Sequence, residues 1–326
     1  MKLYPRISII TPSYNQGKFI EQTILSITRQ EYPNLQYIVI DGGSTDATVS
    51  ILEKYSDCIS YWVSEKDRGQ SHAINKGLAV ADGDIFNWVN SDDWLAPGAL
   101  NAIAQAFMAT GAKLICSPTR LVHSDGHETL GGSTPYRLPI NDILNTRGLN
   151  QMGMYWAMDK VKALGGVNDE FTYSMDLDLW KRFVLTYGTG KIAHIDTPTG
   201  YFRLHEASKT GVDFDASKPL FDQENNAAFW NYAAVAGPKY LKGMQLLYPD
   251  VQPKVVNTKL PNAFDKEILQ RWLAALYFEK GKRAFYNNDF KFCHAILACL
   301  DATWLTKNDS KDFQSFKRWS ALKKWF

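Results

Sequence analysis

Ile85-Phe86-Asn87-Trp88-Val89-Asn90-Ser91-Asp92-Asp93-Trp94 is a short apolar run that stops abruptly on four polar residues, two of them adjacent carboxylates. Its length and aromatic content are those of a buried strand, so the Asp pair sits where a parallel strand would end. Open α/β sheets hold their ligands at that edge. Adjacent carboxylates repel, and a cation relieves the repulsion when the chain around them is a turn that can aim both oxygens at it. The plainer alternative is an Asx-rich turn capping the helix that Pro97 begins, and the surrounding chain has to decide between the two.

Upstream, a strand, loop and helix pattern recurs. Ile7 to Ile10 runs into Thr11-Pro12-Ser13-Tyr14-Asn15-Gln16-Gly17, then a helix with Ile20, Ile24 and Ile27 on one face. Leu35 to Ile40 runs into Asp41-Gly42-Gly43-Ser44-Thr45-Asp46, after which Val49, Leu52 and Tyr55 keep helical spacing. Ile59 to Val63 gives way to Glu65-Lys66-Asp67-Arg68-Gly69-Gln70, then a helix carrying Ala73, Ile74, Gly77 and Leu78. Such alternation predicts a parallel sheet with right-handed crossovers and every strand end at one edge. The loops at 11–17, 41–46, 65–70 and 90–93 therefore converge, and Asp41, Asp67, Asp92 and Asp93 share a crevice. That much negative charge makes sense chiefly beside a divalent cation and hydroxyl or imide donors.

Downstream, a helix near Ala99 to Phe107, a strand from Lys113 to Ser117 and a Ser124-Asp125-Gly126-His127 turn predict a small antiparallel element. Residues 131–153 lack periodicity and read either as a loop over the crevice or as a surface excursion. Met158 to Leu164 and Met175 to Thr186 read as helices, the second with Asp176 and Asp178 in its first turn, where the macrodipole favours carboxylates. A strand from Gly200 to Leu204 ends at His205.

From about Asp215 only helical patterns remain, which divides the chain into residues 1–214 and a helical region at 215–326. Asp265 to Tyr286 and Phe290 to Leu300 form a hairpin about an Asn287-Asn288-Asp289 turn. In 313–326, Phe316, Trp319, Leu322 and Phe326 fall near one face among Lys317, Arg318, Lys323 and Lys324. Two readings stay open there: peripheral contact with a membrane surface, or a terminal helix packed on its own hairpin.

The composition is that of a globular protein with 45% hydrophobic and 21% charged residues and a formal charge of +2, which gives no argument for a nucleic-acid partner. Four cysteines without ligand spacing suit a reducing compartment. Neither a leader before Ile7 nor a membrane-span-length apolar run is seen, so the expected location is cytoplasmic, with the inner membrane face as the site of any peripheral contact. There is no GxxxxGK[ST] loop and no GxGxxG.

Over residues 7–210 the chain resembles the family 2 glycosyltransferases. The likeness rests on Ile-Ile-Thr-Pro-Ser-Tyr-Asn at 9–15, Val-Ile-Asp-Gly-Gly-Ser-Thr-Asp at 39–46, Asn-Ser-Asp-Asp at 90–93, Asp-Leu-Asp-Leu-Trp at 176–180 and Phe-Arg-Leu-His at 202–205. It implies an α/β fold of the GT-A nucleotide-diphospho-sugar transferase type, a mostly parallel central sheet flanked by helices, with a C-terminal α-helical appendage.

By the same resemblance Thr11, Pro12 and Tyr14 line the nucleotide pocket, with Asn15 and Gly42 in the same motifs, and Asp41 accepts from the imide N–H of the base, most often uracil. Asp67 and Arg68 approach the base or ribose, although a plain surface ion pair serves Arg68 equally well. Asn90, Ser91 and Asp92 fall on the Asp-x-Asp motif that anchors metal and ribose, with Asn departing from it at the first position. Asp92 is the expected ligand of Mn²⁺ or Mg²⁺ and Asp93 the second; His205 assists, or is merely a polar strand end, and Lys209 can neutralise phosphate.

Asp176 matches the family's general base for an inverting transfer from a nucleotide-sugar donor, expected to be a UDP-sugar, to a glycan or lipid-linked hydroxyl acceptor. The implied setting is cell-surface polysaccharide or glycolipid assembly. The rivals are a sugar-1-phosphate nucleotidyltransferase, disfavoured by a first loop without lysine or arginine, and a binding module that has lost catalysis.

Overall fold

The computed structural model describes residues 4–131, 144, 149–205, 214–249 and 264–323. These separate into two compact units. One holds the described residues up to 219 except Leu144 and Val184–Thr186; the other holds those four and the residues from Leu220 onward.

The first unit begins β1 (Ile7–Ser13), α1 (Ile20–Thr28), β2 (Leu35–Asp41), α2 (Thr48–Lys54), β3 (Tyr61–Ser64), α3 (Gln70–Val80) and β4 (Ile85–Trp88). It continues β5 (Trp94–Leu95), α4 (Ala99–Thr110), β6 (Leu114–Cys116), β7 (Thr119–Val122), β8 (Glu128–Gly131), β9 (Met154–Ala157), α5 (Met158–Ala163), α6 (Met175–Tyr187), β10 (Ile192–His194) and β11 (Gly200–Arg203). Seven strands form one sheet in the order β10-β6-β9-β4-β1-β2-β3. All its pairs are parallel except those of β9, which runs antiparallel between β4 and β6. The expected mostly parallel sheet is present, with one reversed strand.

Every residue of β1 and nearly every residue of β2 is buried, as expected of central strands covered on both faces. On one face α1 presents Ile20, Ile24 and Ile27 to a core that includes Ile7, Ile9, Tyr37 and Val39. Each such isoleucine contributes roughly 1.5–3 kcal/mol by leaving water. On the other face α3 lies so close that a Cβ on Gly77 would stand 2.6 Å from Ile10 Cγ2, so this helical position admits only glycine.

β4 ends at Trp88, earlier than the sequence run suggests, and Val89–Asp93 form the connection to β5. Two strands carry no sequence signal: β9 is a fully buried four-residue run without a period, and β10 has three residues. A second sheet, in the order β5-β11-β7-β8, contains the expected antiparallel hairpin at the 124–127 turn, but β11 joins β7 in parallel. Residues 132–143 and 145–148 of the aperiodic stretch lie outside the described residues.

α6 is fixed at its start by a buried ion pair. Arg182, fully buried, donates from Nε to Asp178 Oδ2 at 2.7 Å and through its two terminal nitrogens to the carbonyls of Leu164 and Gly166 at 2.6 and 2.9 Å. One guanidinium therefore joins the first turn of α6 to the turn after α5.

The second unit contains α7 (Phe214–Ala236) from Leu220 onward, α8 (Pro238–Leu247), α9 (Lys266–Tyr286), α10 (Phe290–Leu297) and α11 (Lys307–Lys323). Asp265 and Asp289 cap α9 and α10 by accepting from Glu267, Ile268 and Phe292 backbone N–H groups. Its core is aromatic: Trp272 meets Phe229 and Tyr232 edge-on, and the Tyr277 hydroxyl donates to the Tyr240 carbonyl. The α9–α10 hairpin matches the expectation. The stripe on α11 is divided, with Phe313 and Phe316 buried and Trp319 and Leu322 exposed; Lys324 and Phe326 lie outside the described residues.

Arg182→Ala leaves the Asp178 carboxylate buried without its counter-charge, which typically costs about 3–5 kcal/mol. Arg68→Ala breaks an exposed pair and is expected to cost under about 1 kcal/mol. Urea unfolding of the two variants checks this ordering.

Candidate active site

The four strand-end loops meet at a pocket of about 1200 Å³. From the first three loops it is lined by Pro12, Ser13, Tyr14, Gly42, Gly43, Lys66 and Asp67, and from the fourth by Asn90, Ser91 and Asp92. Asp176, with Tyr173 and Met175, lines it from the start of α6, and Leu121, Phe202 and Leu204 from the second sheet.

The side chains expected to line this pocket divide into two groups. Pro12, Tyr14, Gly42, Asp67, Asn90, Ser91, Asp92 and Asp176 line it; Thr11, Asn15, Asp41, Arg68, Asp93 and His205 are not among its lining residues. Thr11 is fully buried, its hydroxyl accepting from Tyr37. Asn15 adopts a left-handed φ of 53° and accepts from the Thr45 N–H at 2.9 Å, while its own N–H donates to Ser44 Oγ, so it ties the first two loops together.

Asp41 is also fully buried, and its carboxylate accepts from Gly43 N, Ser44 N, Ser44 Oγ and Ser64 Oγ. A carboxylate has about four acceptor positions, so in this arrangement Asp41 closes its own loop rather than facing a ligand. Asp67 stands in the neighbouring position: its Oδ1 accepts from Gly69 N at 2.7 Å, and its Oδ2 lies 3.1 Å from where a Cβ on Gly42 would be. Arg68 turns outward to Asp169 at 2.7 Å, the surface ion pair of the plainer reading.

The turn at 90–93 is a connected network. Asn90 Oδ1 accepts from Gln70 Nε2 at 2.7 Å, and its Nδ2 donates to Asp93 Oδ2 at 3.2 Å. Asp93 is 1% exposed and its Oδ1 accepts from the Arg203 N–H at 2.9 Å, so both its oxygens serve the scaffold. Burial pushes its carboxyl well above the usual carboxylate range, the nearby Asp92 charge adds to this, and the Arg203 N–H opposes it. Asp93 is therefore not placed as the second metal ligand.

Asp92 turns the other way, with Oδ2 2.9 Å from His205 Nε2, and the imidazole packs on Phe19. A carboxylate and an imidazole at this distance fit a divalent cation that completes its shell with substrate phosphate oxygens. No cluster of three such ligands occurs among the described residues. Lys209 lies outside them.

Asp176 Oδ1 accepts from the Leu177 N–H at 2.8 Å, which anchors the carboxylate at the helix start. Sequence reasoning missed Ser13, which lines the pocket and whose buried hydroxyl has no hydrogen-bond partner among the described residues. It also missed Gln70 and the wall formed by Leu121, Phe202 and Leu204. A polar residue opening a helix at a strand-end loop was the available signal for Gln70; Leu121 had none.

Residues 8–167 match the model of glycosyl transferase family 2. This segment belongs to that family. The chain is a glycosyltransferase, similar at 29% identity over 187 residues to an uncharacterized glycosyltransferase of Mycobacterium tuberculosis, a match covering 56% of this chain and 70% of the relative. At 34% identity over 105 residues it is similar to a GalNAc(5)-diNAcBac-PP-undecaprenol beta-1,3-glucosyltransferase of Campylobacter jejuni, covering 31% of this chain and 34% of the relative.

In fold it is similar to TarS from S. aureus in complex with UDP, at a TM-score of 0.56 and 15% identity over 97% of this chain and 88% of that one. It is also similar to the mannosyltransferase PcManGT from Pyrobaculum calidifontis in complex with GDP-Man and Mn²⁺, at a TM-score of 0.50 and 16% identity over 100% of this chain and 88% of that one. The fold is thus of the GT-A type.

Asn90→Asp restores the Asp-x-Asp spelling but replaces the donor to Asp93 with a second carboxylate. The variant is expected to lose at least about 1 kcal/mol of stability, read as a lower urea midpoint than the parent; an equal or higher midpoint contradicts the network.

Proposed function

We infer that the protein is an inverting transferase that moves a sugar from a UDP-sugar to a hydroxyl of a glycan or lipid-linked acceptor, in the assembly of a cell-surface polysaccharide or glycolipid. The observation that carries this is the charge of the pocket: among its lining residues Asp67, Asp92 and Asp176 face a single cation, Lys66. A diphosphate entering such a pocket needs a further positive charge. Asp92 and His205 would hold a Mn²⁺ or Mg²⁺ ion, which would supply the positive charge that offsets the negative charge of the leaving nucleoside diphosphate.

The chain's own residues supply the rest. Tyr14, 61% exposed at the pocket rim, offers a ring for the base to stack on, and Asp67 has a carboxylate oxygen toward Gly42 that suits the imide N–H of uracil. Asp176 removes the proton of the acceptor hydroxyl as that oxygen bonds to the anomeric carbon and the carbon–oxygen bond to the diphosphate breaks. One base suffices because no acid is needed on the leaving side. The complex of TarS with UDP, the Mn²⁺ beside GDP-Man in the mannosyltransferase and the undecaprenol-linked substrate named for the Campylobacter relative support this choice of donor, metal and acceptor. The family match favours glycosyl transfer over nucleotidyl transfer and over a module without catalysis.

Asp176→Asn is expected to lower turnover by about 10²–10⁴-fold while UDP affinity, measured by calorimetry, stays unchanged; retained turnover removes Asp176 from the base role. UDP titrated into the parent with and without Mn²⁺ should bind more tightly with metal, and Asp92→Asn should abolish that difference. Equal affinities would sink the metal assignment.

A further inference from the structure

Within the second unit, α11 turns Phe313 and Phe316 inward, where Phe316 packs on Phe278, Phe285 and Tyr286. The helix is thereby held without help from Trp319 and Leu322, which lie three residues apart on one face and are 50% and 58% exposed. A tryptophan and a leucine side by side form a small exposed apolar patch. Tyr286, 66% exposed, packs against Phe316 one turn away.

The charges around this face are mostly of one sign: at helical spacing Lys311, Arg318 and Lys323 flank Trp319 and Leu322, all three exposed, with Asp312 the one carboxylate beside them, two turns before Trp319. The whole chain has a formal charge of only +2, so three cations against one carboxylate around this face are a local excess and not a general one. Lys323 reaches over two rings, with Nζ 5.1 Å from the Phe290 centroid and 5.8 Å from that of Trp319. Long cations whose stems follow apolar surface while their heads stay in water suit the boundary between headgroups and acyl chains, where tryptophan and tyrosine also settle.

We propose that this face of α11 docks on an anionic lipid surface, with Trp319 and Leu322 entering the headgroup boundary and Lys311, Arg318 and Lys323 meeting lipid phosphates. Among the described residues no helix is long and apolar enough to cross a membrane, so the contact is a surface one. It stands independently of the donor, the metal and the base assigned above.

The test is cosedimentation of the full chain with phosphatidylcholine vesicles prepared with and without phosphatidylglycerol. Sedimentation is expected only with the anionic lipid, weakening as salt rises. Trp319→Ser with Leu322→Ser, and separately Arg318→Glu with Lys323→Glu, are each expected to lower the partition coefficient about tenfold or more, with unchanged thermal unfolding because all four side chains are exposed. Equal sedimentation with neutral vesicles, or variants that sediment like the parent, overturns the proposal. So does a concentration-dependent dimer, seen by analytical ultracentrifugation without vesicle binding and abolished by the same substitutions, since the face would then join two copies of the chain.

Discussion

Burying a carboxylate at the end of a strand is unfavourable unless donors surround it, and the geometry of the first unit follows from how Asp93 meets that demand. One donor is the backbone N–H of Arg203 in β11, the other the side-chain amide of Asn90. The first bond ties the end of β4 to the second sheet. Arg203 strengthens the tie through Nε, which donates to the Asp92 carbonyl at 3.0 Å, and through its stacking on Trp94 and Phe19. Thr23 of α1 secures the same turn from below, its hydroxyl shared between the carbonyls of Ser91 and Asp93.

Because Asp93 is committed to the scaffold, Asp92 is left to face the pocket with His205 beside it. The two neighbours divide the labour that an Asp-Asp pair suggests jointly. The asparagine at position 90 fits this division, since an amide donates to a buried carboxylate where a second carboxylate would repel it. Asp41 repeats the pattern on the next strand: a carboxylate that looks ligand-ready at a strand end is absorbed by the N–H and hydroxyl groups of its own loop, and Asp67 takes the exposed place. Scaffold and ligand chemistry thus use the same residue type a few ångströms apart.

Much of this was legible in the residues. Apolar runs followed by Gly, Ser and Asp clusters located β1, β2 and β4, the helices after them and the shared edge where their loops meet, because burial and turn chemistry act locally. The hairpin of α9 and α10 was equally plain from its spacing and its Asn-Asn-Asp turn. β9 and β10 were not, since Met-Tyr-Trp-Ala buried on all sides has no period and three residues are too few to show one. The stripe on α11 was visible as a stripe, but its division into buried and exposed halves required knowing where α9 and α10 lie.

What the sequence by itself determined is the alternating α/β plan, the edge at which ligands gather and the family motifs that fall on it. These depend on the order of apolar and polar residues along the chain. Only the tertiary structure decided which carboxylates face the pocket: Asp92 but not Asp93, Asp67 but not Asp41, with Asp176 across from them. Adjacent side chains at a strand end leave in different directions, and which one stays free is settled by donors brought from elsewhere, the Arg203 N–H from 110 residues away and Ser64 from the next strand.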